Sequence, residues 1–257
     1  MNPLFAGLFD DAAIFPPGNV PMPAAVSAHR ERQSSALAPL AGPFVCSLAR
    51  FGELAEAAAG GPPLRVSLVL PGPVAGPPDA LPAAAGLEIA GVEGPSLTAD
   101  GTLPTYTEIP CREVTATRVA ALRDAGLRLK IRTGGVRADA FPSEAELAGA
   151  LWAAVRGGLA FKLTAGLHDP IRHRDPVTGF EHHGFLNVLL ATARALQGYE
   201  IERALADQDG RRVAAAVAGI DEVLVKAVRH HFISFGTCSI DEPVAGLRKY
   251  RLLEDPR

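Results

Sequence analysis

Two lysines, Lys130 and Lys162, stand 32 residues apart in nearly the same phrase, Leu127-Arg-Leu-Lys-Ile-Arg-Thr-Gly-Gly135 and Leu159-Ala-Phe-Lys-Leu-Thr-Ala-Gly-Leu167. A lysine that has lost its proton attacks carbonyl carbon to form a Schiff base, and burial beside other cations favours that loss. The same phrases carry Arg128, Arg132 and Thr164, of which Arg132 and Thr164 are donors suited to an anionic substituent. The chemistry these types allow is imine formation on a small anionic carbonyl compound. The plainer alternative is that each lysine pairs with a carboxylate such as Glu108 or Asp10 and only plugs an interior.

Both phrases alternate apolar and polar residues at period two and break at glycine, the pattern of a strand with one polar face. Between them Ser143-Glu-Ala-Glu146 is a capping box opening a helix that closes at Gly157-Gly158. A strand, helix, strand unit joins parallel strands by a right-handed crossover, so both strands end at one face of the sheet. Leu127, Leu129, Ile131, Leu159, Phe161 and Leu163 then face covering helices, and the lysines and arginines share an interior. A sheet covered on both faces would be apolar on both, so the pattern favours a closed barrel with a polar end.

The remaining chain supplies strands enough for a (β/α)8 barrel. Strands are expected at residues 6–11, 44–48, 64–70, 87–93, 105–109, 127–135, 159–167 and 232–236. Helices are expected from residue 24 to about 40, at 53–59, 114–125, 143–158, 184–195, 202–206, 211–218 and 222–229, and from 242 onward. The proline-rich segment 71–78 reads as a loop, and residues 165–181 form the longest irregular stretch, a length usually kept for function. The expectation is one (β/α)8 barrel domain over residues 1–257, a length typical of that α/β fold.

Such barrels place their chemistry at the C-terminal ends of the strands. That position selects Asp10, Asp11, Glu93, Glu108, Lys130, Arg132, Lys162, Thr164, His168 and the turn Gly236-Thr-Cys-Ser239. The turn, with Thr237 and Ser239, has the small hydroxyls and backbone N–H groups that hold a phosphate or carboxylate. Cys238 is a candidate nucleophile for which the sequence fixes no neighbouring histidine. Four of the seven histidines fall between His168 and His183, and with Asp10 or Asp11 they suggest a divalent-metal alternative, drawn from Asp11, His168 and His183. No His-Glu-x-x-His spacing, dinucleotide fingerprint or Walker loop occurs.

Lys162-Leu-Thr-Ala-Gly-Leu167 resembles the phrase that carries the Schiff-base lysine of deoxyribose-phosphate aldolases, and Lys130-Ile-Arg-Thr-Gly-Gly-Val-Arg137 resembles that family's second-lysine phrase. The similarity covers about 14 residues, and the two phrases stand in reversed order. What the resemblance to class I aldolase-type barrels implies is a Schiff-base role for Lys162 and a tuning role for Lys130. The expected activity is therefore lyase chemistry, aldolase-like, on a small anionic carbonyl compound. Arg132 and Lys130 would hold the anion, Glu108 or His168 would move protons, and no cofactor would be needed. The alternatives are a metal-dependent hydrolase or lyase, and a non-catalytic barrel binding a metabolite or partner.

Composition narrows the partners. With 48% hydrophobic and 21% charged residues and a net charge of -3, the chain gives no reason to expect nucleic acid or an acidic membrane as partner. The N-terminal segment lacks a basic region and meets Asp10 and Asp11 early, unlike a signal peptide, and Cys46, Cys111 and Cys238 lack paired spacing. A reducing cytoplasm is the expected location, with a small-molecule substrate and a homo-oligomer compatible with the sequence.

Overall fold

Strand order settles the architecture. In the computed structural model, which describes residues 2–72 and 81–254, eight parallel strands close into a barrel. They are β1 (Phe9–Asp11), β2 (Ala41–Ser47), β3 (Leu64–Val69), β4 (Leu87–Gly94), β5 (Thr105–Ile109), β6 (Arg128–Arg132), β7 (Phe161–Thr164) and, after a two-residue pair β8 (His173–Arg174) and β9 (Glu181–His182), β10 (Phe232–Thr237). Pairing of β10 with both β7 and β1 completes the ring. The helices are α1 (Met22–Gln33), α2 (Phe51–Ala58), α3 (Ala116–Asp124), α4 (Glu144–Arg156), α5 (Phe185–Leu196), α6 (Glu202–Ala206), α7 (Gly210–Ala218), α8 (Glu222–His231) and α9 (Asp241–Lys249). This is the (β/α)8 barrel the alternation predicts.

The repeated phrases fold as β6 and β7, adjacent and in register, with Lys130 opposite Lys162. Their apolar alternates Leu129, Ile131, Phe161 and Leu163 are wholly buried beneath the helices, each contributing about 1.5–3 kcal/mol by leaving water. Helix α4 starts with the reciprocal capping box of Ser143 and Glu146 and ends at Gly157. A ring cluster of Phe9, Phe185 and Phe235 seals β1 and β10 against α5.

Several boundaries differ from expectation. The first strand is only three residues long because Pro3–Phe5 forms a 3-10 turn ahead of it. Helix α1 stops at Gln33 rather than near 40, since the Ser34 and Ser35 hydroxyls donate back to the carbonyls of Arg30 and Arg32, and β2 consequently starts at Ala41. The irregular stretch at 165–181 holds an antiparallel pair, β8 with β9, anchored by Arg172 to Glu144 (2.7 Å) and Glu181 (3.4 Å). Among the described residues no helix lies between β4 and β5; the expected loop at 71–78 falls, from residue 73 on, outside the described residues. No helix among the described residues is long and apolar enough to cross a membrane.

Candidate active site at the barrel mouth

Alternation turns the polar residues of β6 and β7 into the lumen, where they meet carboxylates from three other strands. Lys162 Nζ lies 2.6 Å from Asp10 Oδ2 on β1 and 3.1 Å from Glu93 Oε1 on β4. Lys130 Nζ lies 2.7 Å from Glu93 Oε2 and 3.0 Å from Glu108 Oε2 on β5, and Glu108 continues to Arg132 Nε at 2.8 Å. The result is one chain of alternating charge: Asp10, Lys162, Glu93, Lys130, Glu108, Arg132. Serines trim it, Ser234 donating to Asp10 Oδ2 (2.8 Å) and Ser67 to Glu93 Oε1 (2.6 Å). The Tyr106 ring lies 5.1 Å from the Lys162 ammonium, a further favourable contact for the cation.

The chain runs from a buried end to an open one. Asp10, Glu93, Lys130 and Lys162 are all under 6% exposed, whereas Arg132 is 47% exposed. Glu108 and Arg132 border a cavity of about 610 Å³ whose other walls include Pro95, Pro110, Arg112 and Pro142, all in the connections that follow β4, β5 and β6 at the C-terminal face, Arg112 within a 3-10 turn. Inside, Gly236 leaves space: a Cβ there would meet only Thr164 Oγ1, at 3.7 Å.

Electrostatics distinguishes the two carboxylates that share Lys162. Burial raises both, but Glu93 is flanked by two lysines that outweigh burial and hold it well below the usual carboxylate range. Asp10 stays above its usual value, because burial, helped by the negative charge of Glu93, exceeds what Lys162 and Ser234 recover. Burial alone would depress Lys162; Asp10 and Glu93 reverse this and raise it. The sequence-based expectation of a lysine depressed by neighbouring cations is thus corrected. Each inward lysine meets two carboxylates before it meets another cation, and the pairings to Asp10 and Glu108 foreseen as the plainer alternative both occur.

Other expected site residues go elsewhere. Asp11 faces away from the lumen and is held by His29 Nδ1 (2.9 Å) and Arg32 (2.5 Å) of α1. His183 is buried with Nε2 on the Pro142 carbonyl (2.8 Å), and His168 sits with Glu242, Thr237 and Cys238. The metal set Asp11, His168 and His183 therefore does not assemble, and among the described residues no three His, Cys, Asp or Glu side chains are grouped to hold a metal ion. At the turn after β10, Thr237 Oγ1 donates to Ser239 O (2.9 Å) and accepts from Ser239 N–H (3.3 Å), so this hydroxyl and amide face each other instead of a ligand. The glycines of the repeated phrases serve packing: a Cβ on Gly134 would lie 2.7 Å from Gly166 Cα.

Ser67, Ser234 and Glu242 carry roles the sequence did not assign, and Glu93 proves central although position alone suggested it. The signal for the serines was their place at lumen-facing positions of β3 and β10; for Glu242 there was none, since it meets His168 across 74 residues. Gly42 was equally silent. A Cβ on it would fall on Asp10 Oδ1, an atom without a hydrogen-bond partner among the described residues. Gly42→Ala is expected to cost about 1–3 kcal/mol in urea unfolding by overpacking this spot. Unchanged stability would place the Asp10 carboxylate elsewhere.

Compared with protein-family models, curated proteins and solved structures, the chain matches none, and the likeness of two phrases to deoxyribose-phosphate aldolases remains a local one.

Proposed function

We propose that the barrel is an enzyme that forms an imine between Lys162 and a small anionic carbonyl compound and uses it for lyase chemistry. The observation that carries this reading is Lys162 held between two carboxylates of opposite character, Asp10 at 2.6 Å and Glu93 at 3.1 Å. Two titratable groups pushed apart by their surroundings mark acid/base division of labour. Asp10, the more basic carboxylate, takes the proton that Lys162 must lose before attack; Glu93, held ionised, remains as counter-charge to the cationic imine. As water leaves the carbinolamine, Asp10 returns that proton to the departing hydroxyl. The protonated imine then accepts the electron pair of the bond broken next to it. Arg132, half-exposed at the cavity, binds the anionic substituent on this reading, with Glu108 holding its guanidinium at 2.8 Å.

The test is intact-protein mass after borohydride reduction with a panel of small aldehydes and keto acids, for wild type, Lys162→Ala and Lys130→Ala. The expected result is an adduct present in wild type and Lys130→Ala and lost in Lys162→Ala. An adduct that survives in Lys162→Ala would overturn the assignment.

A second reading is favoured by charge balance: Asp10, Glu93 and Glu108 match Lys130, Lys162 and Arg132 one for one. On that reading the chain is a structural plug in a non-catalytic barrel. It predicts no reducible adduct with any compound of the panel.

A further inference from the structure

Where β7 and β10 end, a second cluster of reactive groups stands apart from the lysine chain. His168 follows β7, Cys238 follows β10, and Glu242 lies in the first turn of α9. Glu242 Oε2 is 2.7 Å from His168 Nδ1, which fixes that nitrogen as the proton-bearing one and leaves Nε2 as acceptor. Cys238 Sγ lies 3.8 Å from Nε2 and 3.9 Å from Nδ1, within reach of a thiol hydrogen bond. The thiol is half-buried at the mouth, and His168 is 22% exposed.

We infer that Cys238, His168 and Glu242 form a nucleophilic thiol site that adds to small α,β-unsaturated carbonyl compounds. In the addition the Sγ–C bond forms at the β-carbon as the carbon–carbon π bond opens. The thiol proton passes to His168 Nε2 and from there to the α-carbon, so the product is a thioether and nothing is oxidised or released. Glu242 is a positioning residue: it holds the ring and balances the imidazolium formed in transit. A small uncharged acceptor fits a site whose carboxylate is already committed to the histidine. Burial works against the protonated ring, and the Cys238 and Glu242 side chains outweigh it and raise His168; His182 of β9 is lowered, first by burial and His173 and to a smaller extent by His168. The other two thiols provide internal controls, since burial pushes Cys46 up to about 11 and Cys111 up to about 12.

Acrylamide is the probe, with peptide mass mapping of the folded protein at pH 7. Cys238 is expected to react at least about tenfold faster than glutathione under the same conditions, and His168→Asn to slow it about tenfold or more. Glu242→Gln is expected to slow it less while displacing the pH–rate profile. The product read here is a thioether mapped to Cys238 without any reductant, whereas the imine reading gives a borohydride-dependent adduct on Lys162, which separates the two. The inference is overturned if Cys238 reacts no faster than glutathione, or if His168→Asn, verified as folded by circular dichroism, reacts like wild type. Should His168→Asn not fold, the glutathione comparison on the wild-type protein decides alone.

Discussion

Glu93→Leu is expected to lower the unfolding free energy by about 3–5 kcal/mol, the cost of removing one partner from a buried ion pair. Glu93 is 2% exposed and is the one carboxylate in the chain that touches both lysines. Its loss leaves three cations for two acids, with Lys130 and Lys162 still 5% and 4% exposed in their side chains. Neither ammonium can turn to water. Glu108→Gln makes the contrast: Lys130 keeps Glu93, the amide oxygen of the introduced glutamine can still accept from it, and Arg132 is 47% exposed, so the loss there is about 1 kcal/mol or less. The double substitution Glu93→Leu with Lys130→Met restores the balance, leaving Asp10 with Lys162 and Glu108 with Arg132. It should recover most of the stability, because a buried pair replaced by apolar groups is often neutral. Urea unfolding at pH 7 measures all three, with an unchanged m-value as the condition for comparing midpoints. If Glu93→Leu costs no more than Glu108→Gln, the ionic chain is not the organising feature of the lumen.

The second large effect is the share of a fall in stability on mild acidification that His183→Gln removes. His183 is fully buried, and burial pushes it down to about 4 from an ordinary 6.5, with the Arg172 guanidinium adding to the effect and the Pro142 carbonyl and Glu144 opposing it. A group that is neutral in the fold but gains a proton when unfolded contributes its stability above the unfolded value. That contribution disappears as the pH falls from 6.5 towards the folded value, and amounts to about 2 kcal/mol between pH 8 and pH 5. Glu93, Glu108 and Asp11, all lowered, lose their contributions only below their unfolded values of 4.5, 4.5 and 3.8, whereas Asp10, raised, opposes the fall as it takes up its proton, equally in wild type and variant. His182, lowered, adds to the fall, and His168, raised, opposes it; both are common to wild type and variant. Glutamine can still donate to the Pro142 carbonyl. The loss of stability between pH 8 and pH 5, followed by denaturation midpoints at pH 8, 6.5 and 5, should therefore be smaller in His183→Gln than in wild type by about 2 kcal/mol. Parallel curves for the two proteins would mean that His183 is hydrated in the fold.

The barrel was legible because period-two alternation in two glycine-ended phrases forces one face outward and the other inward, and because a capping box marks the helix between them. Which residues lie inward follows from the same count, so Lys130 and Lys162 were identified. What surrounds them does not follow. Glu93 meets Lys130 and Lys162 across 37 and 69 residues, through the tilt and stagger of strands that local sequence does not encode. Reading only β6 and β7 showed cations beside cations and so reversed the sign of the effect on Lys162. Asp10 and Asp11 were indistinguishable for a related reason: a three-residue strand is too short for its alternation to show, and the neighbours face opposite sides. His168 and Cys238, 70 residues apart, meet because β7 and β10 are neighbours in the ring.

The stretch of wall without a helix between β4 and β5 has a consequence for how the barrel breathes. Among the described residues cover there is thin: Phe51, Leu68, Leu70, Val92 and Leu97 form a small cluster separate from the main core, and Ile89 of β4 is only partly buried. Proteins open first where apolar cover is least, so β4 is expected to part at its β5 edge, where it holds three register pairs against six with β3. That strand carries Glu93. When it parts, both ammonium groups lose their shared counter-charge at the same instant, and water and a proton acceptor reach them through the gap. Opening of the wall and discharge of the lysines are then a single event.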